Sequence, residues 1–269
     1  MLCESGGARY GRGMMAQSDS ERIWTAALLV IGDEILSGRT QDRNVAPIAQ
    51  WLNLQGIRLS EVRVVGDDMA AIDEAVNQLR ARNDYLFTTG GIGPTHDDIT
   101  VDAIAAAVGV PVVIHPRARE ALELYYAERG GLTEARLRMA RVPEGAELIE
   151  NELSGAPGIR LGNIMILAGV PRIAEMMLDA LSGKLVGGRP LVSETIGCWV
   201  PESEVADTLR DTEHAHEGCQ IGSYPFFRDG RVGANFVIRS TDPAALGACA
   251  ADLRERLSRQ GHEATLGGI

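Results

Sequence analysis

Aromatic side chains are scarce in this chain: 4% of 269 residues, with 3 Trp, 5 Tyr and 4 Phe. That leaves little from which to build the stacking platforms that hold single-stranded nucleic acids. An excess of positive charge is missing as well. Lys and Arg number 26 against 37 Asp and Glu, a formal net charge of −11 that opposes non-specific binding to DNA, RNA or anionic membranes. The four cysteines (Cys3, Cys198, Cys219, Cys249) include no CxxC pair, so free thiols in a reducing cytoplasm are expected. No apolar run is long enough to span a bilayer. Residues 1–22 lack the apolar core of a signal peptide and read as a disordered tail, so a cytoplasmic location is expected. A Walker phosphate loop and a strict GxGxxG nucleotide turn are both absent.

What is present concentrates between Tyr85 and Thr100, YLFTTGGIGPTHDDIT. A short apolar strand runs into Gly90, Gly91 and Gly93, then Pro94 and Thr95, then the adjacent carboxylates Asp97 and Asp98. Glycine permits positive φ and close approach, so backbone N–H groups can point at phosphate oxygens. A helix starting near Thr100, with that residue as its expected N-cap, adds free donors and the positive end of a dipole. Two carboxylates beside a phosphate make sense when a divalent cation lies between them, as magnesium does when held by one or two carboxylates plus substrate oxygens. A Gly-rich turn that binds nothing is the competing account.

Around this segment strands and helices alternate. TAALLVIG (25–32) reads as a strand buried on both faces, followed by a helix over 44–54 and a strand over 58–65. A helix over 69–82, a strand over 85–88 and a helix from 100 to Gly109 come next. Helices over 118–126 and 133–140, a turn-rich stretch at 151–158, a strand at 163–167 and a helix at 172–181 complete the region. This pattern predicts an α/β fold: a three-layer, doubly wound, mostly parallel sheet over residues 23–186. After GKLVGGRP (183–190) the pattern changes, and residues 187–269 read as a small α+β domain.

Ligands in such sheets bind at the carboxyl ends of strands. Asp33/Glu34, Asp67/Asp68 and Asp97/Asp98 all fall there and are expected to converge on one crevice, against the plain alternative that turns and caps favour Asp. His214, His216 and Cys219 also invite a metal reading, for which incidental spacing is the simpler account.

The chain resembles the molybdopterin-binding superfamily, in particular the N-terminal domain of CinA competence proteins and of eukaryotic FAD synthases. The resemblance rests on Ile31–Gly38 (IGDEILSG) with Asn44, on Gly66-Asp67-Asp68, and on Thr89–Thr100 (TGGIGPTHDDIT). Asn151, Ala156-Pro157-Gly158, Gly169-Val170-Pro171 and Gly222–Pro225 extend it over roughly 24–260. It implies a fold that binds a pterin phosphate or an adenine dinucleotide at the glycine turn, with Asp67 and Asp98 matching the family's functional aspartates. The implied chemistry is either adenylylation of molybdopterin or divalent-metal-dependent cleavage of ADP-ribose- or FAD-type pyrophosphates. Ser154-Gly155 departs from the family's usual Gly-Thr, and Ala168 from its Pro.

Together these readings give expected roles. Gly90, Gly91, Gly93, Pro94 and Thr95 hold one phosphate; Arg39 holds the other; Ser37, Asn44, Gly155, Pro157 and Gly158 contact the ligand. Asp67, Asp98 and Glu34 are the expected ligands of a Mg, Mn or Co ion, and Asp97 or Glu34 orients the attacking water. The expected partner is a small pterin, molybdopterin included, or a dinucleotide, with no nucleic acid and no membrane, in a homo-oligomer. The competing accounts are a molybdopterin-binding module without catalysis and a DNA-uptake factor, the latter opposed by charge and composition.

Overall fold

The computed structural model describes residues 22–269, and the expected tail falls almost wholly outside them. The chain divides into two compact units, one ending at Gly188 and one running from Arg189 to Ile269.

The first unit is built on β1 (Trp24–Ile31), β2 (Ile57–Val65) and β3 (Tyr85–Thr89), joined through α1 (Asp33–Leu36), α2 (Val45–Leu54) and α3 (Met69–Arg82). After β3 come α4 (Thr100–Val108), β4 (Val112–Ile114), α5 (Pro116–Tyr126), α6 (Glu134–Leu137), β5 (Arg141–Pro143) and β6 (Glu147–Ile149). The unit closes with β7 (Gly158–Leu161), β8 (Ile164–Leu167) and α7 (Pro171–Leu181). The main sheet has the order β2-β1-β3-β8-β7-β6. Pairs β1–β2, β1–β3 and β3–β8 are parallel, whereas β7 and β6 run antiparallel. The sheet is therefore mixed: a parallel doubly wound half with a β7–β6 meander at one edge.

Three layers follow from the apolar run of β1. Ala26, Leu28 and Val30 face α2 and α7 through Ile48, Trp51, Leu52, Met177 and Leu178. Ala27, Leu29 and Ile31 face α3 and α4 through Ile72, Val76, Leu79 and Ile104. Phe87 is fully buried and meets Trp51 edge-on, with ring centroids 6.1 Å apart. Strands buried on both faces need continuous apolar runs, which is why β1 and β3 read clearly from sequence. The strands β4 to β7 do not, being only three or four residues long. The stretch expected to be turn-rich ends in β7, because Gly158 already pairs with Ile149.

The second unit contains β9 (Val192–Cys198), α8 (Glu202–Ala215), β10 (Gln220–Arg228), β11 (Arg231–Ser240), α9 (Pro243–Arg259) and β12 (Ala264–Leu266). Its antiparallel sheet has the order β10-β11-β9-β12, and Phe236, Ile238, Cys249 and Leu253 lie in its core. The His214/His216/Cys219 spacing comes to nothing as a metal site. Cys219 is buried among apolar side chains, His216 Nε2 lies 3.0 Å from Asp252 Oδ2, and among the described residues no group of three or more His, Cys, Asp or Glu is placed to hold a metal. Asp252 also accepts from Arg256 Nε at 2.9 Å.

Two outcomes follow. Phe87→Ala should lower stability by about 3–5 kcal/mol, because it removes a ring from a close-packed core; urea unfolding measures it, and a loss below ~1 kcal/mol would contradict the packing described. Arg256 first, then His216, hold the Asp252 carboxyl below its ordinary value against the opposing effect of burial. A depressed folded value means stability that is present above the unfolded value of about 4 and is lost as pH falls through the folded one. The destabilisation caused by Asp252→Asn should be full near pH 7 and shrink below about pH 4; a pH-independent difference would contradict it.

Candidate functional site

β1, β2 and β3 end side by side, and the loops beyond them are tied together by carboxylates. Gly32 N–H bonds the Val65 carbonyl at 3.1 Å. Beyond it, Asp33 N–H donates to Asp67 Oδ2 at 3.0 Å, and Asp67 N–H returns a bond to Asp33 Oδ1 at 3.3 Å. Gly66 makes that clasp possible, since a Cβ there would stand 2.3 Å from Asp33 Oδ1. Asp68 instead caps α3, accepting from Ala71 N–H at 2.9 Å, as the plain account of turn acids predicts. Asp33, Glu34, Asp67 and Asp97 border one cleft of about 540 Å³, together with Ser37, Arg39 and His96. All three acidic clusters thus send at least one side chain to the same place.

β3 runs into the glycine turn. Gly90 and Gly91 have φ of 99° and 66°, which glycine adopts without a steric cost. Gly90 also has no room for a side chain, because a Cβ would lie 2.1 Å from the Ile31 carbonyl oxygen. Thr100 locks the turn from behind: its hydroxyl donates to the Gly90 carbonyl at 2.9 Å and its N–H to the Gly91 carbonyl at 3.0 Å. Thr100 is therefore not the expected N-cap. Ile99 precedes the helix, and the buried Thr100 is its first residue, spending its hydroxyl on the turn. With those carbonyls facing α4, the N–H groups of Gly91, Ile92 and Gly93 have no partner among the described residues.

Gly90, Gly91, Gly93 and Pro94 form one wall of a cavity of about 550 Å³. Glu34 and Asp98 bring carboxylates to it, Ser154 a hydroxyl, and Met139, Val170, Ile173 and Met177 an apolar wall. Asp98 lies against Gly93, where a Cβ would stand 2.7 Å from its Oδ2. The same Oδ2 accepts from Thr95 N–H at 2.8 Å and Thr95 Oγ at 2.5 Å. Thr95 therefore fixes Asp98 and does not itself line the cavity. Asp97 is exposed, and its carboxyl sits below the ordinary range because of the neighbouring Thr95 hydroxyl, then its own backbone N–H and His96. The single Thr95 hydroxyl proton is aimed at Asp98, so its effect on Asp97 is one of proximity.

Several expected ligand contacts lie elsewhere. Asn44 is buried and spends its amide on the Gly169 carbonyl at 2.8 Å, pinning the loop after β8. A Cβ on Gly169 would stand 3.2 Å from Gly90 Cα, so Asn44 supports the glycine turn at second hand. Gly158 is packed inside β7, where a Cβ would meet Met177 Sδ at 3.0 Å, and it lines none of these cavities. Gly155 and Pro157 border a different cavity, of about 630 Å³, with Arg117, Tyr125 and Asn151, although Pro157 also lines a small hollow beside Gly91 and Gly93. Ser37 and Arg39 belong to the acidic cleft. Sequence reading missed the apolar wall, although the helix expected right after Gly169-Val170-Pro171 carries Ile173 and Met177, half of it.

The two acidic sets are distinct. Asp67 and Asp97 border the cleft, Asp98 the glycine cavity, and Glu34 borders both. No preformed metal cage exists among the described residues. The donors do fit a cation that arrives with a phosphorylated guest, for which one or two carboxylates beside unpartnered backbone donors suffice.

Known proteins share this architecture. Residues 27–186 match the family described as "Probable molybdopterin binding domain", and residues 190–264 match "FAD synthase, middle domain". A CinA-like protein of Desulfosudis oleivorans is 35% identical over 209 residues, covering 73% of this chain and 51% of the relative. A probable FAD synthase of Caenorhabditis elegans is 32% identical over 259 residues, covering 87% of this chain and 50% of the relative. The chain thus spans about half the length of these two. The crystal structure of CinA from Thermoplasma acidophilum, a protein described as of unknown function, superposes with a TM-score of 0.55 at 34% identity, covering 60% of this chain and 98% of that one. With its glycine turn, its strand-end acids and more than half its length matched, this chain belongs to the molybdopterin-binding domain family, among its CinA-like members.

Proposed function

We propose that this chain binds a phosphorylated pterin or adenine dinucleotide at the glycine turn and acts as a divalent-metal-dependent pyrophosphatase on ADP-ribose- or FAD-type dinucleotides. The observation that carries the reading is the shared wall: unpartnered N–H groups at Gly91–Gly93 and the carboxylates of Glu34 and Asp98 open on one cavity of about 550 Å³. That volume lies within the usual range for small-ligand sites, about 300–1,000 Å³.

The backbone donors of the turn hold a phosphate oxygen, and the N-terminus of α4 adds its dipole. The apolar wall of Met139, Val170, Ile173 and Met177 takes a ring, pterin or adenine, and keeps water from that side. Asp98, fixed by Thr95, would be one of the carboxylates that hold a divalent cation beside the phosphate. A divalent cation supplies charge neutralisation of the anhydride and a more acidic bound water. Glu34, which borders both cavities, orients the attacking water and accepts its proton; the P–O–P bond breaks and yields two phosphate monoesters. Asp67, Asp97 and Arg39 set the field of the adjoining cleft.

The test is incubation of the purified chain with ADP-ribose, FAD, or ATP plus molybdopterin, with Mg²⁺, Mn²⁺ or Co²⁺. Cleavage that stops with a chelator is expected, and Asp98→Asn and Glu34→Gln should each lower it roughly 100-fold or more with unfolding midpoints preserved. Binding without turnover under every condition would instead establish a non-catalytic module. Transfer of AMP to molybdopterin would establish an adenylyltransferase.

A further inference from the structure

Two arginines border a small hollow beside the glycine turn, and they are committed differently. The hollow, about 10 Å³, has room for roughly one water and shares Gly91, Gly93 and Asp98 with the ligand cavity. Arg141 is spent: Nη1 lies 3.0 Å and Nη2 2.5 Å from the two carboxylate oxygens of Asp102. Arg138 has no carboxylate partner among the described residues. Its Nη2 makes one long bond, 3.4 Å, to the Asp98 carbonyl, and its Nε is buried with no acceptor among the described residues.

Arg138 is only partly buried, but a buried guanidinium N–H left without an acceptor is unfavourable unless one, ideally an anion, arrives. In a chain of net charge −11, with Glu34 and Asp98 on the same cavity, an anionic guest also needs a cation close to its phosphate. Arg39 does not supply it there, since its cleft shares only Glu34 with the glycine cavity, whereas the hollow beside Arg138 shares Gly91, Gly93, Asp98 and Met139 with that cavity.

We propose that Arg138 is the phosphate-recognising cation of this site, its fork of N–H donors completing the set begun by the Gly91–Gly93 amides. The inference rests on the reading of the cavity as a phosphate site. Guanidinium suits the task because it presents several donors in a fixed plane and keeps its charge. The adjacent residue, Met139, lines the apolar wall, so one short segment would sense both the anionic and the ring portions of the guest.

The test is calorimetric titration of the full chain with ADP-ribose and with adenosine, for wild type, Arg138→Met and Arg138→Lys. Arg138→Met should weaken ADP-ribose roughly 10- to 100-fold, the loss of one or more charge-assisted bonds, while adenosine binding stays unchanged. The salt dependence of ADP-ribose binding should flatten in the same variant. Arg138→Lys, which retains the charge but not the fork, should restore part of the affinity and serves as the arm to read should the Met variant fail to fold. Equal weakening of both ligands, or no weakening of ADP-ribose, overturns the role of Arg138 while leaving the cavity reading standing. Failure of wild type to bind either ligand overturns the cavity reading, and this inference with it.

Discussion

The site depends on one steric fact: three strand ends meet at a residue with no side chain. Gly90 follows β3, and its α-carbon faces the Ile31 carbonyl at the end of β1 and Gly169 at the end of β8. Its N–H reaches the Leu167 carbonyl at 3.3 Å. Any Cβ would force these ends apart, and the parallel half of the sheet could not close around its own switch point. The order β2-β1-β3 puts that switch between β1 and β3, where an open α/β sheet leaves a crevice. Thr100 converts the crevice into a donor site by taking both glycine carbonyls, so the amides that follow face outward. Geometry of this kind needs no flexible loop, since both ends of the turn are anchored in buried structure.

Electrostatics then divides the crevice. Asp33 and Asp67 satisfy each other's backbone N–H groups across the ends of β1 and β2, a structural duty that still leaves acidic oxygens facing the cleft. Asp98 is likewise half engaged, by Thr95. Acidic oxygens beside a bound phosphate would repel it unless a cation lay between them. Among the described residues, Glu34 alone borders both halves. A guest bound at the glycine turn and ions gathered in the acidic cleft would therefore meet at this side chain.

Much of this was legible in the sequence because the governing constraints are local. Continuous apolar runs gave β1 and β3, glycines before a helix gave the turn, and strand-end acids gave the convergence of Asp33, Glu34, Asp67 and Asp97. What escaped depends on contacts between distant segments. Nothing near Asn44 announces that its amide will hold Gly169, which lies 125 residues away. Thr100 looks like a cap because threonine favours that place, and only the inward Gly90 and Gly91 carbonyls give its hydroxyl different work. The short strands β4 to β7 carry too few residues for a period to register. Arg138 stands in a stretch read simply as helix; that Arg141 is paired and Arg138 is not emerges only when Asp102 is placed beside them.

The Ser154-Gly155 departure shows how a motif change can leave a pocket whole. Asn151, buried, donates to Ser154 Oγ at 2.6 Å and to the Ala156 carbonyl at 2.8 Å, and accepts from Leu153 N–H at 3.0 Å. The segment's shape is thus fixed by Asn151, with a serine hydroxyl as one of its anchors. Alternation along the segment sends Ser154 and Ala156 toward the glycine cavity and Gly155 toward the neighbouring one. Gly155 has φ of 70° and packs on Tyr125, where a Cβ would stand 2.6 Å from that ring's own Cβ. A threonine at that position would therefore clash and strain the chain. The hydroxyl of this segment belongs to the preceding residue, Ser154, which borders the glycine cavity.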